Sequence, residues 1–122
     1  MKRTCLIVDD SRTVRKFARR IMEGMNFDIE EAPDGAQALA ECGRHMPDVI
    51  LLDWNMPVMN GIEFLKRLRA TESGKKPVVL FCTTEDSMER ISEAIEQGAN
   101  EYVMKPFDGE ILASKLTLEG LL

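Results

Sequence analysis

Apolar and polar positions fall into blocks along this chain, and each block has its own period. Thr4–Val8 is a short apolar run that ends in Asp9-Asp10. Val14, Phe17, Ala18, Ile21 and Met22 then recur at helical spacing, with Ser11 as the capping residue and Gly24 at or near the close. Asp28–Ala32 predicts a half-polar edge strand with Ile29 and Ala32 inward. Pro33-Asp34-Gly35 reads as a turn, and Asp34 caps a helix over 36–43 that turns Ala36, Leu39 and Ala40 inward. Val49-Ile50-Leu51-Leu52 is four aliphatic residues in a row, the mark of a strand covered on both faces. Asp53 follows it directly. A helix over Gly61–Arg69 sets Ile62, Leu65 and Leu68 on one face, and 71–76 is polar loop. Val78-Val79-Leu80-Phe81 predicts a second covered strand, ending in Thr83-Thr84. A helix over 85–97 places Met88, Ile91, Ala94 and Ile95 inward and stops at Gly98. A strand over 100–104 runs into Lys105-Pro106-Phe107, and Asp108 caps a last helix carrying Ile111, Leu112, Lys115, Leu116 and Leu118.

Strand and helix alternate five times. That alternation predicts an α/β fold, parallel strands joined by right-handed helical crossovers. In such sheets ligands bind beyond the carboxyl ends of the strands, where the strand order reverses. With 122 residues, 44% of them hydrophobic, the chain is long enough for one cored domain spanning 1–122. The net charge of −5 argues against a general nucleic-acid or membrane surface. No apolar run approaches a membrane span, and Cys5 to Val8 is too short for a signal peptide. Cys5, Cys42 and Cys82 lack metal spacing and read as thiols of a reducing compartment.

The polar residues that change this picture stand at strand ends. Asp9 and Asp10 end the first strand, Asp53 the third, Thr83 the fourth and Lys105 the fifth. Parallel strands bring these groups to one rim. Carboxylates that close repel unless a cation lies among them, and an oxygen-only set without His or Cys suits Mg²⁺. Asn55 is placed to lend a backbone carbonyl. A divalent ion, a carboxylate, a hydroxyl and an ammonium together suit phosphoryl transfer onto Asp53. Singly, each residue has a blander reading: a solvated turn, a β-former, a surface lysine. Their arrival at successive strand ends favours the chemical one.

Asp9-Asp10, Asp53 with Met56-Pro57 and Gly61, Thr83, and Lys105-Pro106-Phe107 resemble the response-regulator receiver domain over the whole chain. Asp53-Trp54-Asn55-Met56-Pro57 and Tyr102-Val103-Met104-Lys105-Pro106-Phe107 are similar to the single-domain chemotaxis regulators of that family. The resemblance implies a doubly wound (βα)5 flavodoxin-like fold, a three-layer sandwich with parallel sheet order 2-1-3-4-5. That order comes from the family, not from the periodicity. It also implies that Asp53 is the phosphoacceptor, that Asp10 binds Mg²⁺ directly and Asp9 through water, and that Asn55 gives its carbonyl. Thr83 and Lys105 would bind the phosphoryl group, and the Lys105-Pro106 bond would be cis. Tyr102 would be the aromatic switch, turning inward when Thr83 moves. Asn55, Thr84 and Glu85 would tune the lifetime of the phosphate.

The implied donor is a histidine kinase or histidine phosphotransfer protein, and the implied target binds the helix 4–strand 5–helix 5 face. Here that face offers Asp86, Ser87, Met88, Ile91, Tyr102, Met104, Asp108 and Lys115. A bacterial cytoplasmic monomer is expected, with dimerisation on phosphorylation left open. It would have no output domain and would be an acceptor rather than a conventional enzyme. Two departures stand out. Thr84 replaces the family's usual Ala or Gly, and the paired lysines opening helix 4 in the chemotaxis proteins are missing, which weakens a flagellar-motor target. Arg12, Arg15, Lys16, Arg19 and Arg20 make the first helix basic, a solvated face or the docking side for the donor in equal measure. A Mg²⁺-dependent phosphohydrolase would want a second Asp where Asn55 stands. A flavin module would be repelled by Asp9-Asp10, and a degenerate receiver would have lost its acceptor.

Overall fold

Successive side chains point to opposite faces along each strand, and that period decides which residues serve which face. The computed structural model describes residues 2–84 and 88–122. Its strands are β1 (Thr4–Val8), β2 (Asp28–Ala32), β3 (Val49–Leu52), β4 (Val78–Thr83) and β5 (Glu101–Met104). Its helices are α1 (Arg12–Gly24), α2 (Gly35–Arg44), α3 (Gly61–Arg69), α4 (Met88–Glu96) and α5 (Gly109–Leu118). All strand pairs are parallel, in the order β2-β1-β3-β4-β5 expected from the family. The half-polar β2 lies at an edge, where one unpaired side tolerates Asp28 and Glu30.

Two cores result. Leu6, Val8, Ile50, Leu52, Val79 and Phe81 meet α2, α3 and α4 through Ala38, Phe64, Leu65, Leu68 and Ala94. Cys5, Ile7, Val49, Leu51, Leu80 and Val103 meet α1 and α5 through Ala18, Met22, Leu112 and Leu116. Each fully buried side chain of this size contributes roughly 1.5–3 kcal/mol. The continuous run in β3 is therefore a direct record of a sheet covered twice.

Capping follows the expected chemistry. The side chains of Ser11, Asp34, Asn60 and Asp108 accept backbone N–H groups in the first turns of α1, α2, α3 and α5. The far ends of α1, α4 and α5 share one device. Asn26, Gly98 and Gly120 take φ of 70°, 113° and 76°, and Phe27, Ala99 and Leu121 donate back to Met22, Ala94 and Leu116. In α1 the left-handed residue is thus Asn26, not Gly24, which remains helical.

Several inward assignments fail. Among described residues α4 begins at Met88; the expected residues 85–87, Glu85 among them, lie outside the described residues. Ile91 and Ala94 set its packed stripe, so Met88 and Ile95 fall on the flank and are 74% and 46% exposed. In α2 the buried positions are Gly35, Ala38 and Cys42, while Ala40 is exposed. The run of small residues there fits more than one face equally well. Phe17 is half-exposed, its ring 6.0 Å from that of Phe107. The 71–76 loop contains a 3₁₀ turn over Ser73–Lys75, and β5 starts at Glu101, one residue late.

Candidate functional site

Register and strand parity bring the site together. Val8 is opposite both Ala32 and Leu52, and Leu52 is opposite Phe81. The next residues, Asp9 and Asp53, therefore leave adjacent strands at the same height. Both follow the phase of Ile7 and Leu51 and so face the α1/α5 side. Lys105 follows Met104, two positions after Val103, and has the same phase. Backbone bonds hold these ends: Asp9 N–H donates to Ala32, Asp53 N–H to Val8 and Lys105 N–H to Thr83.

The side chains meet. Lys105 Nζ lies 2.6 Å from Asp9 Oδ2 and 3.1 Å from Asp53 Oδ1. Asp9 Oδ1 accepts the Ser11 N–H at 2.8 Å. Asp9 and Asp53 are buried and Asp10 is exposed, and one oxygen from each lies within 4.8 Å of the others. Burial, and then the Asp9 charge, push the Asp53 carboxyl above its ordinary range against the pull of Lys105. Burial alone would lower Lys105, but its bond to Asp9 and the charges of Asp53 and Asp9 outweigh that and raise it. The Asp9 charge thus adds to burial in raising Asp53, while Asp9 and Asp53 together overcome burial in raising Lys105. The donor set, all oxygen and acidic, fits a hard divalent cation.

Thr83 ends β4 fully buried. Tyr102 is half-buried, with its hydroxyl oxygen inside the protein. Thr84 is exposed and, with Thr13, Val14, Phe17, Lys105, Pro106 and Phe107, lines a cavity of about 330 Å³ beside the acidic rim. The Lys105-Pro106 bond is cis. Asn55 is exposed on the loop after Asp53, and the Glu85 position lies outside the described residues.

That loop is fixed from below. Gly61 N–H donates to the Trp54 carbonyl at 2.9 Å, and Gly35 N–H to the Met59 carbonyl at 3.1 Å. Between them Val58 takes φ 68° inside a tight turn closed by Met59 N–H on Pro57 O, a conformation a β-branched residue normally avoids. Trp54 lies buried against Phe81 at 5.0 Å, with the Arg90 guanidinium of α4 4.7 Å from its ring centre. A Cβ on Gly61 would stand 2.2 Å from the Asp53 carbonyl oxygen and 2.9 Å from Phe81 Cζ. Gly61→Ala should therefore cost about 2 kcal/mol, as overpacking against backbone does. Urea denaturation would show it, and an unchanged midpoint would mean that the loop yields freely.

Arg15 is the residue whose place sequence reasoning misses. The helical pattern groups it with a basic surface, but its guanidinium turns inward to the Asp9 carbonyl and Glu31. Only the adjacency of β1 and β2 reveals that pairing.

A sequence model of the response regulator receiver domain matches residues 5–117. The chain belongs to the response regulator receiver family. This receiver is 41% identical over 112 residues to the chemotaxis protein CheY-3 of Vibrio cholerae, covering 91% of this chain and 86% of that one. The structure of V. cholerae CheY4 superposes with a TM-score of 0.90 at 37% identity, covering all of both chains. A CheY from Borrelia burgdorferi, solved in a CheX-CheY-BeF3-Mg²⁺ complex, matches with a TM-score of 0.90 at 25% identity, covering 98% of this receiver and 90% of that chain.

Proposed function

We propose that this receiver takes a phosphoryl group onto Asp53 from a phosphohistidine donor, a histidine kinase or phosphotransfer protein, and signals through the exposed side of α4, β5 and α5. The observation that carries the reading is the contact of Lys105 with both Asp9 and Asp53 inside an acidic cluster. Asp53 supplies the attacking carboxylate oxygen. Lys105 places an ammonium where charge develops on the transferred oxygens. Asp9, held by Ser11 and Lys105, and Asp10 at the rim complete a Mg²⁺ site with Asp53. Mg²⁺, when bound, supplies positive charge that screens the carboxylates from the incoming phosphoryl group. The relative solved with BeF3 and Mg²⁺ supports this choice of cation.

Thr83, buried at the end of β4, and Tyr102, on the next strand, are the switch: a new charge on Asp53 biases their packing. The apolar cavity walled by Val14, Phe17 and Phe107 receives the donor at the side of Lys105. Met88, Ile95, Met104 and Ile111 leave an apolar surface for the target. The receiver is consumed stoichiometrically as an acceptor in the bacterial cytoplasm and turns over no substrate of its own.

The test is incubation with acetyl phosphate and Mg²⁺. Intact mass should show a hydroxylamine-labile phosphoryl adduct that maps to the peptide containing Asp53 and fails to form in EDTA. An adduct elsewhere, or equal labelling without metal, would overturn the reading.

A further inference from the structure

The basic face of α1 is not uniform. Arg12, Lys16 and Arg20 are exposed, but the Arg15 side chain is only 15% so. Its Nη1 donates to the Asp9 carbonyl oxygen at 2.6 Å, and its Nε to Glu31 Oε1 at 3.0 Å. The other Glu31 oxygen takes Arg19 Nη1 at 2.7 Å. Arg19 Nε in turn reaches Glu23 at 3.1 Å. Glu31 sits on β2 opposite Ile7, two residues before Asp9. The guanidinium is therefore gripped from the neighbouring strand while it holds the end of β1.

We propose that Arg15 is a positioning residue for the acidic rim: by holding the Asp9 carbonyl it fixes the peptide that carries Asp10, and so sets the affinity for the divalent cation. This rests on the reading of that rim as a Mg²⁺ site. Asp9 itself is already secured, through its N–H on Ala32, Ser11 on one carboxylate oxygen and Lys105 on the other. Asp10 is exposed, and its carboxylate swings with rotation of the Asp9–Asp10 peptide. The Arg15 bond to that peptide's oxygen removes the rotation. A cation then meets its ligand in place rather than having to order it.

Electrostatics alone predicts the opposite sign. Deleting a nearby positive charge would tighten binding of a second cation. Glu31 cancels most of that repulsion, and losing a residue that orients a ligand typically weakens metal affinity roughly 10–100-fold. The direction of the change therefore separates positioning from bulk charge.

The experiment titrates Mg²⁺ into the full chain, read by Trp54 fluorescence and by calorimetry. Arg15→Ala should weaken Mg²⁺ about tenfold. Arg15→Lys should recover part of the loss, since an ammonium still reaches the carbonyl but cannot also hold Glu31. Glu31→Gln should give an intermediate loss. Arg44→Ala, which removes an exposed charge at the end of α2 beside Glu41, should match the wild type. If Arg15→Ala does not fold, Arg15→Lys, which keeps the charge, carries the comparison. Affinity in Arg15→Ala equal to or tighter than wild type overturns the positioning role while leaving the Mg²⁺ site intact. A wild type that binds no Mg²⁺ overturns both. A residue serving only donor docking would lose transfer from the donor and leave this titration unmoved, which also overturns the positioning role.

Discussion

Asp53→Asn should take up no phosphoryl group from acetyl phosphate and, without metal, should unfold at a higher urea concentration than wild type. The first half follows from removing the attacking oxygen. The second follows from the state of the rim. Burial and the Asp9 charge hold the Asp53 carboxyl above its ordinary range. An acid whose pKa is raised by folding costs stability once pH exceeds its unfolded value, because the unfolded chain ionises it more readily. The cost is complete above the folded pKa and vanishes below about pH 4, the ordinary range of an aspartate. Asparagine keeps the shape and removes the charge, while Lys105 retains Asp9 as its partner at 2.6 Å. The gain at neutral pH should be on the order of 1 kcal/mol, a common size for one site. It should shrink toward about pH 4 and shrink again when Mg²⁺ is added, because only the wild type then gains binding energy. Urea melts in EDTA and in Mg²⁺ at both pH values test it. A less stable Asn variant at neutral pH would show that the Lys105–Asp53 contact outweighs the repulsion.

This opposition between function and stability is what makes the site legible in the sequence. A carboxylate directly after four aliphatic residues is a local contradiction, and so is Lys105 directly after a strand. Such contradictions survive where chemistry needs them. The covered strands β3 and β4 are equally legible, since so short a continuous aliphatic run between turn residues fits little besides a strand buried on both faces. Helix faces are harder. In α2 the small residues fit several rotations, and only packing against β1 and α3 selects Ala38 and Cys42. In α4 and α1, Met88, Ile95 and Phe17 obey the helical period yet stay exposed, because periodicity counts apolar positions and cannot tell a core from a docking surface. Arg15 is hidden for a different reason. Its partners are Asp9, just past the end of β1, and Glu31 on β2; the adjacency of those strands is a property of topology, and nothing local marks one arginine in a basic helix as turned inward.

Arg69→Ala should be the most destabilising exchange outside the core, and it should leave the acceptor chemistry alone. The last residue of α3 sends its guanidinium to four acceptors at the opposite end of the sheet. Nε and Nη2 reach the Gly98 carbonyl at 3.1 and 2.8 Å. Nη1 reaches the carbonyls of Gly74 and Pro77, each at 2.9 Å, and Nη2 reaches Asn100 Oδ1 at 3.1 Å. Asn100 Oδ1 also accepts Val79 N–H at 2.7 Å, so the network closes on the start of β4. One flat fork thus ties the 3₁₀ turn, the entry to β4 and the left-handed end of α4. Burial lowers the Arg69 pKa, so the charge itself is a cost that alanine relieves. Against that, several charge-assisted bonds of roughly 1.5–3 kcal/mol each disappear and their carbonyls lose partners. The expected net loss is about 3 kcal/mol, within the range seen when buried polar groups are orphaned. Arg69→Lys should recover little of it, because three donors on a point charge cannot span four separated acceptors. Denaturation gives the magnitude, and amide exchange should accelerate at Gly98 and Asn100 before it does at Asp53. The acetyl phosphate adduct should form as in wild type in the folded fraction. If instead the adduct falls in step with stability, the two ends of the sheet are not independent, and α4 carries strain from its anchored end to the rim.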